Sequence, residues 1–130
     1  MEHTTNKTHI TGLVTVGVPV ADQERALNFY VTTLGFETRR DAPFGTMRWI
    51  EVAAHNATVS IALVATPPGS PLGVDTGIRL ASTDADADHA ALLAAGVDAD
   101  REVMRMGDSV PPMFTFRDPD GNRLVVVEQP

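Results

Sequence analysis

This sequence puts few chemically capable side chains into reactive patterns. It holds no cysteine, four histidines and one tryptophan, Trp49. The missing thiols remove disulfides, thiolate zinc sites and a cysteine nucleophile. Arg79 interrupts the apolar pair Ile78 and Leu80 in GIRLAS, residues 77 to 82. In a strand it therefore stands on the opposite face to those neighbours. A guanidinium in a partly buried place needs a partner. Glu51 is the candidate, because MRWIEVA, residues 47 to 53, turns Trp49 and Glu51 to one face if it is a strand. Arg79 then reads either as one half of a structural or interface ion pair, or as a grip on a ligand's carboxylate or phosphate. Trp49 reads either as core packing or as a flat surface for an aromatic or cationic ligand. Other constellations fail. Ser60, Ser70, Ser82 and Ser109 lack a nucleophile elbow. GSPLG, residues 69 to 73, has neither the lysine nor the following helix of a phosphate loop. DADAD, residues 84 to 88, lacks the glycine and distal glutamate of a calcium loop and reads as an acidic helix start.

The elements that must position these residues follow from pattern and punctuation. GLVTVGVPV, residues 12 to 20, is valine-rich like a strand. Asp22 suits a helix N-cap, Ala26, Leu27, Tyr30, Val31 and Leu34 share a helical face, and Gly35 suits the stop. Strands are expected over 36–40, 47–53 and 58–65, with a turn at His55-Asn56. The Pro/Gly stretch TPPGSPLGVD then reads as a linker. The pattern restarts with a strand over 77–82, an N-cap at Asp84, a helix through Ala90, Leu92, Leu93 and Ala94, and a stop at Gly96. Val97 opens a further strand. PMFTF and NRLVVVE form a final hairpin, with Pro119 and Gly121 at positions i+1 and i+3 of a type I turn.

Spacing supports an internal duplication. Asp22 and Gly35 are 13 residues apart, and Asp84 and Gly96 are 12 apart. Trp49 and Ile61 are 12 apart, and Phe114 and Val125 are 11 apart. Both helices exit through Gly-apolar-acidic, GFE and GVD. One domain is expected, with module one over 10–66, a linker over 67–75 and module two over 76–128. A net charge of −7 with a single lysine argues against nucleic-acid binding. It suits solubility or attraction for a cationic ligand. No signal peptide or membrane span is visible, which gives a cytoplasmic expectation.

VTVGVPVADQERALNFYVTTLGFE and FTFRDPDGNRLVVVE resemble the vicinal oxygen chelate superfamily, which includes glyoxalase I, extradiol dioxygenases and bleomycin-resistance proteins. The resemblance spans residues 12 to 128. It implies an α+β fold of tandem β-α-β-β-β modules, their mixed sheets curled round a cavity, within a homodimer. Enzymes of the superfamily hold a divalent metal. Carried over residue by residue, its ligand positions fall at Thr15, at or near Ala62, at Gly77 or Thr76, and at Val125. None offers a strong donor. His9 and Glu128 lie too far off or on the wrong face to substitute, and His3 is in a tail. No metal and no cofactor are therefore expected. By strand parity, Thr15, Ala62, Arg79, Arg123, Val125 and Thr115 face the cavity. With Trp49, Glu51 and Asp75 they make the expected ligand-binding set. The resemblance to bleomycin-resistance proteins implies a metal-independent binder that sequesters a small molecule such as a cationic drug or natural product. The alternative is a lyase, isomerase or dioxygenase. It would use a displaced metal or acid-base chemistry drawn from Glu51, Asp75 and Arg79.

Overall fold

The computed structural model describes residues 7 to 130. Each half of the chain builds its own four-stranded mixed sheet. The first half comprises β1 (Thr15–Val20), α1 (Gln23–Asn28) with a π-helical continuation (Phe29–Thr33), β2 (Glu37–Phe44), β3 (Met47–Ala53) and β4 (Ser60–Ala65). The second comprises β5 (Asp75–Ser82), α2 (Ala85–Ala94), β6 (Asp98–Ala99), β7 (Met113–Arg117) and β8 (Arg123–Glu128). Strand order is β1-β4-β3-β2 in the first sheet and β5-β8-β7-β6 in the second. In each, the opening strand runs parallel to the closing strand and the remaining neighbours are antiparallel. This is the duplicated α+β arrangement expected from the spacings.

The helix signals act as the sequence suggests. The Asp22 carboxylate accepts from Arg25 N–H at 3.1 Å, and Asp84 accepts from Ala87 N–H at 3.0 Å. α2 ends in a Schellman motif: Val97 N–H donates to Leu92 C=O at 2.9 Å, and Gly96 N–H to Leu93 C=O at 3.0 Å. Gly96 has φ 80°, a left-handed conformation that disfavours any residue with a Cβ.

One core serves both halves. Val18, Val20, Ile50, Val52, Ile61 and Leu63 of the first sheet join Phe114, Phe116, Leu124 and Val126 of the second, with Phe29, Tyr30 and Leu92 from the helical segments. Because side chains alternate along a strand, the residues between these lie on the other face of each sheet, away from the shared core. The two sheets are not closed into one barrel by a single chain.

The DPDGN turn joins the halves. Asp118 and Asn122 are buried. The Asp118 carboxylate accepts from the Tyr30 hydroxyl at 2.9 Å and from Asn122 Nδ2 at 2.9 Å. It also accepts from the backbone N–H groups of Asp120 and Asn122, each at 2.9 Å. Asn122 Nδ2 donates to Pro19 C=O at 2.8 Å, and Asp120 accepts from Ala21 N–H at 3.2 Å and from Arg25 at 2.7 Å. Gly121 N–H returns to Asp118 C=O at 2.9 Å, closing the expected turn. The motif's polar residues are therefore spent on binding module two to β1 and the first helical segment.

Candidate functional site

The outer face of the first sheet is read from its register. Thr15 pairs with Ser60, Gly17 with Ala62, Ala62 with Glu51, Glu51 with Arg40 and Trp49 with Ala42. Glu51 sits at the middle of this face, half-buried. Its Oε2 accepts from Trp49 Nε1 at 2.7 Å, and its Oε1 accepts from Ser60 Oγ at 2.6 Å. Both donors prefer the ionised acid. The Ser60 hydroxyl first, then the Trp49 indole, hold the Glu51 carboxyl below its ordinary value. Among the described residues no cation forms an ion pair with Glu51. Trp49 meets Phe44 edge-on, with ring centroids 6.4 Å apart. A hollow of about 340 Å³ beside these rings is lined by Arg40, Ala42, Pro43, Phe44 and Trp49.

The outer face of the second sheet carries Arg79, Arg117 and Arg123, of which Arg117 is paired with Asp98 at 3.6 Å and Asp100 at 2.7 Å. Arg79 pairs with Val125, Thr115 with Val125, and Arg117 with Arg123. Arg79 is exposed and has no ion-pair partner among the described residues. The Arg79–Glu51 pair suggested by the sequence does not form, because each residue lies on a different sheet and Glu51 is engaged by its neighbours in β3 and β4. Asp75 is exposed, opposite Arg123, and its carboxylate accepts from Gly77 N–H at 3.2 Å. The nine expected residues thus form two groups. Thr15, Trp49, Glu51 and Ala62 lie on one sheet. Asp75, Arg79, Thr115, Arg123 and Val125 lie on the other. A hollow of about 490 Å³, lined by Val16, Phe36, Val59, Ser60, Ile78 and Arg79 among others, takes in Arg79 alone of the nine.

The donors a metal would need do not fit the transferred positions. Ala62, Gly77 and Val125 have no donor atom. The Thr15 hydroxyl donates to Ser60 C=O at 3.1 Å. The Thr76 hydroxyl donates to Arg123 C=O at 2.7 Å and accepts from Ile78 N–H at 3.1 Å. Among the described residues no three His, Asp or Glu side chains gather as ligands. His55 stands exposed against Glu37 at 3.0 Å, and His89 Nε2 lies 2.7 Å from Asp100 C=O. His3 lies outside the described residues. Glu51 and Asp75, the suggested displaced pair, sit on separate sheets.

Residues 9–126 match the model of the Glyoxalase/Bleomycin resistance protein/Dioxygenase superfamily. The chain belongs to this superfamily. Among solved structures, this superfamily member is similar to TnmS3, an antibiotic-binding protein from Streptomyces sp. CB03234. The two are 35% identical with a TM-score of 0.81, over 95% of this chain and 99% of that one. It is also similar to a glyoxalase/bleomycin-resistance/dioxygenase superfamily protein from Sphaerobacter thermophilus, at 33% identity and TM-score 0.85, over 94% and 100% of the two chains. The Bacillus subtilis (strain 168) protein YurT is 26% identical over 90% of this chain and 98% of its own. No helix among the described residues is long and apolar enough to cross a membrane.

Ser60 lies two residues before Ala62 in β4 and so shares its face, but its bond to the Glu51 carboxylate is absent from the expected set. The signal was available: Ser60 is the polar residue opening an otherwise apolar strand, SIALVA, and β3 must lie beside it.

Proposed function

We propose that this superfamily member binds and sequesters a small organic molecule, a cationic drug or natural product, in the cytoplasm and without a metal. The observation supporting this most is that the metal-ligand positions hold Thr15, Ala62, Gly77 and Val125, while Trp49 and Phe44 leave an aromatic surface open on the face that carries Glu51. The similarity to an antibiotic-binding protein agrees with this reading. Acid-base catalysis is less well served. A carboxylate held below its ordinary range by two donors is a weak proton acceptor near neutral pH.

The same reading makes the protein a homodimer. A single chain leaves Leu13, Val14, Phe44, Met104 and Met106 exposed at 69%, 75%, 65%, 47% and 61%. Exposed apolar surface of that extent marks an interaction site. An aromatic outer face centred on Trp49 and Glu51 and an outer face bearing Arg79, unpaired among the described residues, suit pairing of unlike faces from two copies. The cavity would then draw Thr15, Trp49, Glu51 and Ala62 from one copy and Asp75, Arg79, Thr115, Arg123 and Val125 from the other. Calorimetric titration with a panel of cationic glycopeptides and other natural products tests the binding. Micromolar or tighter association with at least one is expected, and silence across the panel would count against it. Light scattering on the purified protein should give twice the chain mass, falling to one chain mass in Val14→Asp.

A further inference from the structure

We propose that the hollow of about 490 Å³ beside β5 takes a small organic acid with an apolar chain, its carboxylate on Arg79 and its chain on the wall between the modules. This is a second site. It shares only Arg79 with the cavity proposed above and does not rest on that reading.

The lining sets the chemistry. Its larger members are Val16, Phe36, Val59, Ile61, Ile78 and Leu80, and Arg79 is the one charged residue in it. Small-molecule pockets run to roughly 300–1,000 Å³, with an apolar wall for area and a few polar groups to fix orientation. This hollow has that make-up.

Strand geometry explains how one hollow meets both a cation and an apolar wall. β5 is an edge strand, paired to β8 alone. Successive side chains along a strand point to opposite faces. Yet Ile78, Arg79, Leu80 and Ala81 all line the hollow, and no β8 residue does. The hollow therefore runs along the free edge of β5, within reach of both faces. On the core side, Phe36, Ile78 and Leu80 pack against the shared core but stay only half-buried. Val16 is half-buried as well. Their remaining area gains by being covered with an apolar chain.

Charge decides the class. Arg79 is exposed and has no ion-pair partner among the described residues. Two acids are brought toward the lining by hydrogen bonds, and both are already engaged. Glu51 accepts from Ser60 Oγ at 2.6 Å. Glu37 accepts from Arg39 Nε at 2.6 Å, and Arg39 donates onward to the Ala54 and Ala57 carbonyls of the wall, each at 2.9 Å. An ammonium would thus meet no acid in the lining, whereas a guanidinium presents a planar fork that matches a carboxylate. The chain as a whole carries −7, which disfavours an anion at long range. A preference for carboxylate over ammonium must then come from Arg79 itself.

The test is calorimetric titration of the full-length protein with sodium hexanoate, octanoate and decanoate. 1-Octanol and octylammonium serve as neutral and cationic counterparts of octanoate. Affinity should rise by roughly threefold or more for each two carbons, since a half-open hollow covers part of each methylene. Octanoate should bind tighter than octanol, and octylammonium weakest. Arg79→Gln should weaken octanoate about tenfold, the loss of one charge-assisted hydrogen bond at an exposed site, and leave octanol within about twofold. Ala57→Trp, which fills the hollow from its turn, should weaken octanol and the acids alike. Octylammonium binding as tightly as octanoate, no dependence on chain length, or a carboxylate preference that survives Arg79→Gln would each overturn the proposal. Silence from the whole series would overturn it too, and a chain mass halved by Ala57→Trp in light scattering would then assign the hollow to a second copy. The natural-product panel decides the earlier reading separately, so octanoate binding beside a silent panel would sink that reading and leave this one standing.

Discussion

Replacing Tyr30 with phenylalanine removes one hydroxyl from the buried join between the modules. Tyr30 is fully buried, and its O–H donates to Asp118 at 2.9 Å. A hydrogen bond to a charged acceptor is worth roughly 1.5–3 kcal/mol. Asp118 keeps its other three donors in the variant, and the ring contacts with Phe29 and Phe36 survive. The loss should therefore sit near the lower end, about 1.5–2 kcal/mol. For a domain of this size that is a fall in Tm of roughly 5–10 °C. Urea unfolding followed by far-ultraviolet circular dichroism, with Trp49 emission as a second probe, reads the change as a lower midpoint at unchanged slope. Protein concentration must be held constant, because association shifts apparent stability. Asp118→Ala should lose more than Tyr30→Phe, since it strands the Tyr30 hydroxyl, Asn122 Nδ2 and two backbone N–H groups in the interior. A Tyr30→Phe midpoint indistinguishable from that of the parent protein would refute the reasoning that this knot fastens the halves.

The same tyrosine predicts an alkaline limb. Burial first, and then the Asp118 charge, push the Tyr30 hydroxyl far above its ordinary 10.0. Its folded pKa is raised, so its contribution is complete below pH 10 and declines above it, by at most about 1.4 kcal/mol per pH unit. As the only tyrosine, it should show no tyrosinate absorbance until the protein unfolds. A folded protein titrating near pH 10 would contradict this. Glu51 predicts the opposite limb: Trp49 emission should respond to acid with a midpoint below the ordinary glutamate value of 4.5, and Ser60→Ala should raise that midpoint. Asp84→Ala should cost about 1 kcal/mol through loss of the α2 cap, measured by the same urea titration.

The fold was legible because its punctuation is local. Asp22, Gly35, Asp84 and Gly96 cap helices through bonds within a few residues, so the duplication shows in spacing alone. β2 runs to Phe44, past the expected Arg40, because ETRRDAPF is an edge strand exposed along most of its length and carries no alternating apolar signal. β6 shrinks to two residues for want of such a pattern. The π-helical turn at Phe29–Thr33 left no mark in the sequence, since its widened bonds use the same residues as an α-helix. At the site, parity placed Trp49 and Glu51 on one face. Their bond, between residues two apart in one strand, was hidden because charge pairing with Arg79 looked the stronger need. The DPDGN polar residues offered no chemistry in sequence, and the structure spends them on holding the modules together.

On the proposed reading, an organic ligand is held here by side chains alone. Titrating the tightest binder of the natural-product panel into the protein before and after exhaustive dialysis against EDTA, with calorimetry as the readout, tests it directly. One affinity is expected in both preparations. Binding that disappears on chelation and returns with stoichiometric Ni²⁺, Zn²⁺, Mn²⁺ or Fe²⁺ would contradict it.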